Sequence, residues 1–273
     1  MHIAFLSAAL LMFAPPSIGH ASPDPDSLRV PILVYHSVTP HRPGDSAKQL
    51  EFDVSPEAFE TQMTYLRDHG ITVVSFERLV NALEGHGSLP PRAAVIAFDD
   101  GWENQYVHAF PILRQFGYTA TFFVFTSPLG RDDRYMTWEQ LRDLQNAGMT
   151  IGAHTLTHPR LKTLTDPKML HREVDVSRER LEQHLGSAIA FFAYPFGVPT
   201  PDVTAAVQAA GFRAARVFPG GVWHHPGELW SIRSVEVTEP MERFKRIVDP
   251  DTSVRHATAG GPHRSATRKT VRS

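Results

Sequence analysis

The sequence predicts an α/β protein whose parallel strands form a closed or nearly closed (β/α) barrel. Short apolar runs alternate with helical patterns along most of the chain, as in βαβ units around a parallel sheet. The runs are nearly continuous in apolar character, which is expected for strands covered on both faces. About seven such units favour a barrel over an open doubly wound sheet, although periodicity alone does not distinguish the two. No Gly-x-Gly-x-x-Gly or Gly-Lys-Ser/Thr loop is present, which counts against a nucleotide-binding open sheet.

The predicted elements follow one another in a regular order. The first strand, residues 30–36, ends in the polar side chain of His36. The first helix, residues 55–69, begins with Ser55-Pro56-Glu57, which is typical of an N-cap followed by proline at the first helical position. Further strands are predicted at 71–74, 93–98, 119–125, 149–154, 189–194 and 212–217, and further helices at 76–83, 104–115, 137–147, 166–185 and 200–210.

The N-terminal segment differs in composition from the predicted domain, residues 30–249. Residues 1–21 contain an apolar stretch too short to span a bilayer, then Pro15-Pro16 and small residues, which is typical of a secretory signal peptide. A first buried helix is the alternative, but the two prolines would stop it. Residues 22–29 form a polar spacer. We therefore expect an exported protein, periplasmic or secreted, without a transmembrane segment.

The C-terminal segment and the overall composition limit the partners. Residues 250–273 are poor in apolar side chains and predict a disordered basic tail. The whole chain carries 27 Lys and Arg against 29 Asp and Glu, which removes the electrostatic argument for a nucleic-acid partner. The absence of cysteine excludes disulfides, a lipoprotein anchor and a thiolate metal site.

Two polar motifs follow apolar runs where buried strands would meet loops. The first is Asp99-Asp100-Gly101, and the second contains His154 and His158. Alone, the first is also ordinary turn chemistry and the second a chance pair in a histidine-rich chain. Together, two imidazoles and one carboxylate form a three-ligand site that leaves room for water and substrate, as catalytic zinc requires. The second carboxylate is then free to act as a general base.

These motifs resemble those of the polysaccharide deacetylases, carbohydrate esterase family four, which carry the NodB-homology domain. The family's Thr-Phe-Asp-Asp-Gly matches Ala97-Phe98-Asp99-Asp100-Gly101, and its His-Ser/Thr-x-x-His matches the histidine pair. Its Arg-x-Pro-Tyr-Gly looks like Ala193-Tyr194-Pro195-Phe196-Gly197. The match covers about residues 30–240. Details such as Val34-Tyr35-His36 look most like the exported branch that acts on poly-β-1,6-N-acetylglucosamine.

The resemblance implies a distorted (β/α) barrel and a role for each motif residue. Asp99 would be the general base. The backbone N–H of Phe196 would help to hold the oxyanion. A divalent metal, zinc in the first place with cobalt or nickel as alternatives, would be bound by Asp100, His154 and His158. The implied reaction is removal of N-acetyl groups from an N-acetylated polysaccharide, poly-β-1,6-N-acetylglucosamine first, then peptidoglycan or chitin-like polymers, with release of acetate.

The chain departs from the family pattern at two positions. Ala193 stands where the third motif has arginine, so another residue must orient the base, and we predict Arg233. No Leu-x-His motif supplies the general acid near the C-terminus. His36 is the predicted pocket residue in its place, since its strand should end at the same rim as Asp99; a hydrogen-bonded supporting histidine is the alternative. His224 and His225 lie near the expected region but are equally consistent with a loop.

Aromatic residues beside the motifs are candidates for stacking on sugar rings. We predict Trp102, Tyr194 and Pro195 as substrate-binding residues at the rim. Two other functions stay open on the same fold. One is hydrolysis of a small cyclic amide, which an export signal disfavours. The other is non-catalytic carbohydrate binding, which the missing arginine and Leu-x-His favour and the retained Asp99 disfavours.

Overall fold

Most strands are short, and most α-helices begin at a residue whose side chain caps the first turn. The structure, a computed structural model, describes residues 26–197 and 199–249. The strands are β1 Leu28–Arg29, β2 Ile32–Tyr35, β3 Ser37–Val38, β4 Asp53–Val54, β5 Thr72–Val73, β6 Ala93–Asp100, β7 Thr121–Val124, β8 Thr150–Ala153, β9 Phe191–Ala193, β10 Ala214–Val217, β11 Trp223–His224, β12 Ile232–Arg233 and β13 Val235–Glu236. The α-helices are α1 Ala47–Phe52, α2 Pro56–Asp68, α3 Phe76–Leu83, α4 Phe110–Phe116, α5 Trp138–Asn146, α6 Pro167–Leu185, α7 Pro201–Ala209 and α8 Met241–Val248. A π-helical turn, Gln105–Ala109, precedes α4, and a 3₁₀ turn, Leu161–Thr163, precedes α6.

The central sheet is parallel throughout and nearly closes on itself. Its strands lie in the order β12, β10, β9, β8, β7, β6, β2 and β13, and β5 pairs with β6 outside this path. The two end strands, β12 and β13, are separated in sequence only by Ser234, so the ends of the sheet meet there. This arrangement confirms the predicted distorted (β/α) barrel, and each predicted strand has its counterpart in it.

Alternation along the strands divides the core into two layers. In β6, Ile96 and Phe98 belong to the cluster that packs beneath the surrounding helices. Val95 and Ala97 belong to a second cluster, which also contains Phe123. Because side chains along a strand alternate between faces, Asp99 follows Val95 and Ala97 on the face of the second cluster.

The structure contains several elements that the sequence did not predict. Apart from β5, the two-residue strands are too short to give a periodic pattern, and helices α1 and α8 were not predicted either. Strand β1 pairs with β11, so the last residues of the predicted 22–29 spacer lie in a small sheet. The predicted signal peptide, 1–21, and basic tail, 250–273, lie outside the described residues. In the part that is described, we find no helix of the length and apolarity that a membrane crossing needs.

Candidate active site

Most of the predicted site residues line one cleft at the end of the barrel where the strands end, here called the barrel mouth; Arg233 and Pro195 do not. The cleft encloses about 700 Å³. Asp99, Asp100, His154 and His158 line it, together with His36. The carboxyl ends of parallel strands are where (β/α) barrels place their chemistry, and the motifs meet there because they follow β6 and β8.

Asp100, His154 and His158 form a compact group of three potential ligands. Asp100 Oδ1 lies 3.3 Å from His158 Nε2 and 3.7 Å from His154 Nε2, and the two imidazole nitrogens are 3.2 Å apart. Ligand atoms around a tetrahedral zinc ion, at about 2.1 Å from it, lie about 3.4 Å from each other. Asp100 Oδ1 is buried and makes no hydrogen bond within the described residues. These distances and this unpaired oxygen fit a divalent metal.

The surroundings keep both histidines in the neutral state that a metal requires. His154 Nδ1 lies 2.7 Å from the carbonyl of Ala193, which fixes the proton on Nδ1 and leaves the lone pair on Nε2. Burial lowers the pKa of His154 to about 4 and also lowers the pKa of His158. The Asp100 carboxylate is oriented in turn by the Trp102 indole, whose Nε1 donates to Oδ2 at 3.1 Å.

Backbone strain is concentrated at the barrel mouth. Four non-glycine residues among those described have positive φ: Asp100 at 74°, Thr155 at 76°, His158 at 63° and Phe196 at 59°. Each belongs to one of the three sequence motifs. Left-handed backbone costs about 1–2 kcal/mol for such residues and persists where surrounding contacts hold it. Gly197 shows how tightly the third motif is packed, because a Cβ there would lie 2.2 Å from the Phe218 carbonyl oxygen.

Asp99 is held by Arg216, which the sequence analysis missed. The Arg216 guanidinium donates from one nitrogen to both oxygens of the Asp99 carboxylate and from the other to Ser234 Oγ at 2.8 Å. Both partners of the ion pair are buried, at 2% and 5% exposure. Burial alone would raise the pKa of Asp99, but the charge of Arg216, with smaller contributions from His154 and His36, brings that pKa below its ordinary value.

The prediction that Arg233 orients the base is therefore wrong. Its side chain is 44% exposed and lies 3.8 Å from Glu228 rather than beside Asp99. The cause is strand alternation: Arg233 is an exposed residue of β12, whereas Arg216 is the buried charged residue of the neighbouring β10. Arg216, rather than Arg233, therefore holds the Asp99 carboxylate.

A buried glutamate holds the loop between the two ligand histidines. Glu173, in α6, accepts hydrogen bonds from the backbone N–H of Leu156 at 3.1 Å and from the N–H and hydroxyl of Thr157, both at 2.8 Å. On the other side of the loop, the N–H of His158 donates to Thr155 Oγ1 at 2.9 Å. These bonds keep the strained loop in the conformation that turns both imidazoles towards Asp100.

His36 lines the cleft together with Phe196 and Arg160. Its Nδ1 is 3.3 Å from Glu236 Oε1, and its ring contacts the edge of Phe52. Burial raises the pKa of Glu236. The position of His36 at the end of β2 agrees with the rim location expected from the sequence. The catalytic role of His36 stays a prediction. His224, by contrast, is 1% exposed and lies with Nε2 2.7 Å from the Val30 carbonyl in the β1–β11 sheet.

The predicted substrate-binding residues behave differently from one another. Trp102 lines the cleft, with one ring face stacked on Tyr135 at 4.4 Å. Tyr194 also borders the cleft, but both Tyr194 and Pro195 are buried, and their role in binding substrate stays a prediction. Tyr194 turns inward because its ring packs against Phe192, and burial raises the pKa of its hydroxyl to about 12. The exposed aromatic residue of the third motif is instead Phe196, at 52% exposure.

Comparison with known proteins supports this reading of the motifs. Residues 86–215 match the family model described as polysaccharide deacetylase, and this range contains Asp99, Asp100, His154, His158 and Phe196. The chain contains a polysaccharide deacetylase domain. The predicted enzyme class, a polysaccharide deacetylase that hydrolyses N-acetyl groups, is thereby confirmed.

Similar curated proteins carry deacetylase names. The Bacillus subtilis (strain 168) protein YxkH, named as a polysaccharide deacetylase, is 25% identical over 213 residues, which are 78% of this chain and 73% of the relative. The poly-β-1,6-N-acetyl-D-glucosamine N-deacetylase of Staphylococcus aureus (strain MRSA252) is 23% identical over 181 residues, 62% of each chain.

Solved structures share the fold of the deacetylase domain. The deacetylase PplD of Streptococcus pyogenes, solved in complex with acetate, superposes with a TM-score of 0.76 at 23% identity and covers 82% of this chain and 99% of its own. IcaB of Ammonifex degensii superposes with a TM-score of 0.72 at 26% identity and covers 80% of this chain and 95% of its own.

The two supporting residues missed in the deacetylase domain did leave signals in the sequence. Arg216 is a single cation within an otherwise apolar strand, and fully buried cations are rare unless paired. Glu173 falls at helical spacing with the buried Leu170 and Val174, on the apolar face of α6. Neither signal names the partner, because the partner lies in another element, 117 positions from Arg216 and 16 to 17 positions from Glu173.

Proposed function

We propose that the protein is a metal-dependent N-deacetylase of an exported polymer of β-1,6-linked N-acetylglucosamine. The proposal refines the enzyme class by a cofactor and a substrate. A divalent cation, zinc in the first place, is held by Asp100, His154 and His158. The substrate is the N-acetylated polysaccharide, and the products are acetate and a polymer with free amines.

One observation carries the proposal: a carboxylate paired with a buried arginine lies beside a three-ligand group with an unpaired oxygen. Asp99 and Asp100 are adjacent at the end of β6, and Asp99 is kept ionised by Arg216. A structural zinc site would need a fourth protein ligand, whereas three ligands leave a position for substrate. A purely carbohydrate-binding protein would not need such a base. The arginine missing from the third motif favoured that alternative, but Arg216 pairs with Asp99 instead, so the missing arginine no longer supports it.

The residues divide the hydrolysis of an acetamide among themselves. The metal, when bound, lowers the pKa of water and polarises the acetyl carbonyl. Asp99 accepts the proton of the water that attacks this carbonyl. The N–H of Phe196 donates to the oxyanion. His36, whose Nδ1 lies 3.3 Å from Glu236 Oε1, gives a proton to the leaving amine, so that the C–N bond breaks to acetate and a free amine.

The cleft has features of a polysaccharide site. Its volume of about 700 Å³ is in the upper part of the range for small-ligand sites, and it is open along the barrel mouth. The exposed ring of Phe196 and the indole of Trp102 supply flat apolar faces on which sugar rings stack. The β-1,6 linkage and the amide rest on the Staphylococcus aureus relative, whose name states both.

Export is part of the proposal, because a polymer of this kind is processed outside the cytoplasm. The predicted signal peptide, residues 1–21, supports it from sequence alone and lies outside the described residues. We place the mature protein in the periplasm or the surrounding medium.

Acetate release from defined oligomers tests the proposal. Metal-loaded wild type should release acetate from β-1,6-linked N-acetylglucosamine oligomers, and a chelator should abolish the release. Asp99→Asn should lower kcat about 10²–10⁴-fold while metal content stays near that of the wild type. Asp100→Asn should lose the metal itself.

Matched substrates separate the polymer from the alternatives. Oligomers of β-1,4-linked N-acetylglucosamine and a peptidoglycan fragment serve as comparisons at equal concentration. No acetate from any of them would overturn the enzyme proposal. Faster release from the β-1,4 oligomers or the peptidoglycan fragment would overturn the linkage.

A further inference from the structure

Gln105 joins the two strand ends that carry His36 and Asp99. The side chain is fully buried, and its Nε2 donates to the carbonyl of His36 at 2.6 Å and to the carbonyl of Asp99 at 2.5 Å. Both protons of one amide group are therefore used on the main chain of two residues assigned to the reaction. Gln105 contacts neither the cleft nor the three ligand atoms.

The Gln105 hydrogen bonds join β2 to β6 just beyond the last residue pair of the ladder between these two strands. The register of β2 with β6 runs to the pair Tyr35 and Phe98. His36 and Asp99 are the next residues on each strand, beyond the last ladder pair. The β2–β6 ladder ends there, although β6 stays paired with β7 through Asp100, so the Gln105 side chain is the next link between these two strand ends. Buried carbonyls need a donor, and the Gln105 amide supplies one to each.

The local sequence places the donor there and fixes which end of the amide faces the strands. Gln105 begins the π-helical turn Gln105–Ala109, whose wider spacing lets a helical residue turn out of the usual register. Both acceptors are carbonyl oxygens, so the amide nitrogen and not its oxygen must face them. The neighbouring Asn104 donates to Ser37 Oγ at 2.9 Å and accepts from the N–H of Val38 at 3.3 Å, which holds the same segment.

We infer that Gln105 is a positioning residue that sets the spacing between the proton donor His36 and the base Asp99. This inference rests on the proposed function, in which these two side chains act on opposite ends of the scissile amide. A displacement of either group by a fraction of an ångström weakens proton transfer without removing a ligand or a substrate contact.

The test compares Gln105→Met with Gln62→Met. Gln62 is an equally buried glutamine that accepts from the Tyr35 hydroxyl at 2.8 Å and donates to the Thr238 carbonyl at 3.0 Å. It thus joins β2 to the segment after β13 without a bond to the main chain of His36 or Asp99. Both variants leave buried polar groups unpaired and should lower Tm by similar amounts. Gln105→Met should lower kcat about 10–100-fold with KM and metal affinity close to wild type, whereas Gln62→Met should keep kcat within about threefold.

A second variant covers the case in which Gln105→Met does not fold. Gln105→Asn keeps the amide but is one methylene shorter and reaches one carbonyl at a time, so its kcat should also fall, with KM and metal affinity unchanged. Equal kcat in wild type and the folded Gln105 variants, or an equal loss in Gln62→Met, would overturn the inference alone. Failure of the wild type to release acetate from any oligomer would overturn the proposed function and the inference with it.

Discussion

The two sides of the barrel mouth hold their functional side chains by different means. On the ligand side, formed by β6 to β9, the eight-residue strand β6 and a strained loop set the proposed metal ligands largely by backbone geometry. On the closing side, formed by β10, β12, β13 and β2, the end strands β12 and β13 have two residues each, and side-chain hydrogen bonds hold Asp99. The ligand side is therefore expected to tolerate loss of one side-chain contact better than the closing side.

Ser234 shows how the closing side operates. It lies between β12 and β13, where the ladder is interrupted, and its hydroxyl accepts from Arg216 and donates to the Val217 carbonyl at 2.8 Å. Ser234, at the interruption between the two strands where the barrel closes, thus also supports the arginine that holds Asp99. One charge pair couples barrel closure to Asp99, the proposed base.

The largest effect is expected from breaking that pair. Arg216→Met leaves Asp99 buried without its counter-charge, and the free energy of unfolding should fall by about 3–5 kcal/mol. The matched control is Arg233→Met, at an exposed arginine of the neighbouring strand β12. This substitution should change the free energy of unfolding by less than about 0.5 kcal/mol. Denaturant titration at pH 7 measures both.

The same variant has a signature in acid. Because the folded-state pKa of Asp99 is lowered, its contribution to stability is present above the unfolded pKa of about 3.9 and is lost as the pH falls through the folded value. Loss of Arg216 should flatten this acid limb of the stability curve. An unchanged limb and a stability loss no larger than that of the Arg233 control would contradict the assigned role of the closing side.

The second prediction concerns the ligand side without metal. The pKa of His154 is lowered to about 4 by burial, so the unfolded state binds a proton that the folded state refuses between pH 6.5 and 4. Stability present above pH 6.5 should be lost by roughly 3 kcal/mol as the pH falls to 4. Thermal unfolding of chelator-treated protein across this range measures it, and His154→Asn should reduce the slope. An equal slope in the variant would contradict the assignment to His154.

The difference between the two sides also explains what the sequence could predict. Strands such as β6 and β8 are continuous apolar runs followed by polar motifs, so both their location and the convergence of Asp100, His154 and His158 could be predicted. The closing strands β12 and β13 have two residues each and give no pattern. The pairing of Arg216 with Asp99 joins residues 117 positions apart, and no local rule reports it.

The third prediction moves to the support of the ligand loop. Glu173→Gln exchanges a carboxylate that accepts three hydrogen bonds for an amide that can accept fewer, so the loop carrying His154 and His158 should loosen. Metal affinity should fall about 10–100-fold, the usual cost of losing a group that orients ligands. Competition with a chelator measures it. Glu179→Gln, an exposed position of the same helix, is the control, and equal affinities in the two variants would contradict the role of Glu173.

The smallest effects are expected from two exposed rings, Phe196 on the ligand side and Phe52 on the closing side. Phe196, on the ligand side, is held by its backbone conformation, by the His158 ring at 4.7 Å and by the Arg160 guanidinium at 4.2 Å. Phe52, on the closing side, contacts the His36 ring at 5.7 Å from the short helix α1. A ring that is already ordered loses less entropy when a sugar stacks on it.

Phe196→Ala should therefore raise KM for an oligomer about 3–10-fold, consistent with 0.5–1.5 kcal/mol for a ring contact, and Phe52→Ala by less than about threefold. Because neither side chain takes part in proton transfer, kcat should stay close to wild type in both variants. Initial rates over a range of oligomer concentrations separate the two parameters. A larger increase in KM for Phe52→Ala than for Phe196→Ala would mean that the polymer binds mainly to the closing side. The ligand side would then contribute to metal binding but not to substrate binding.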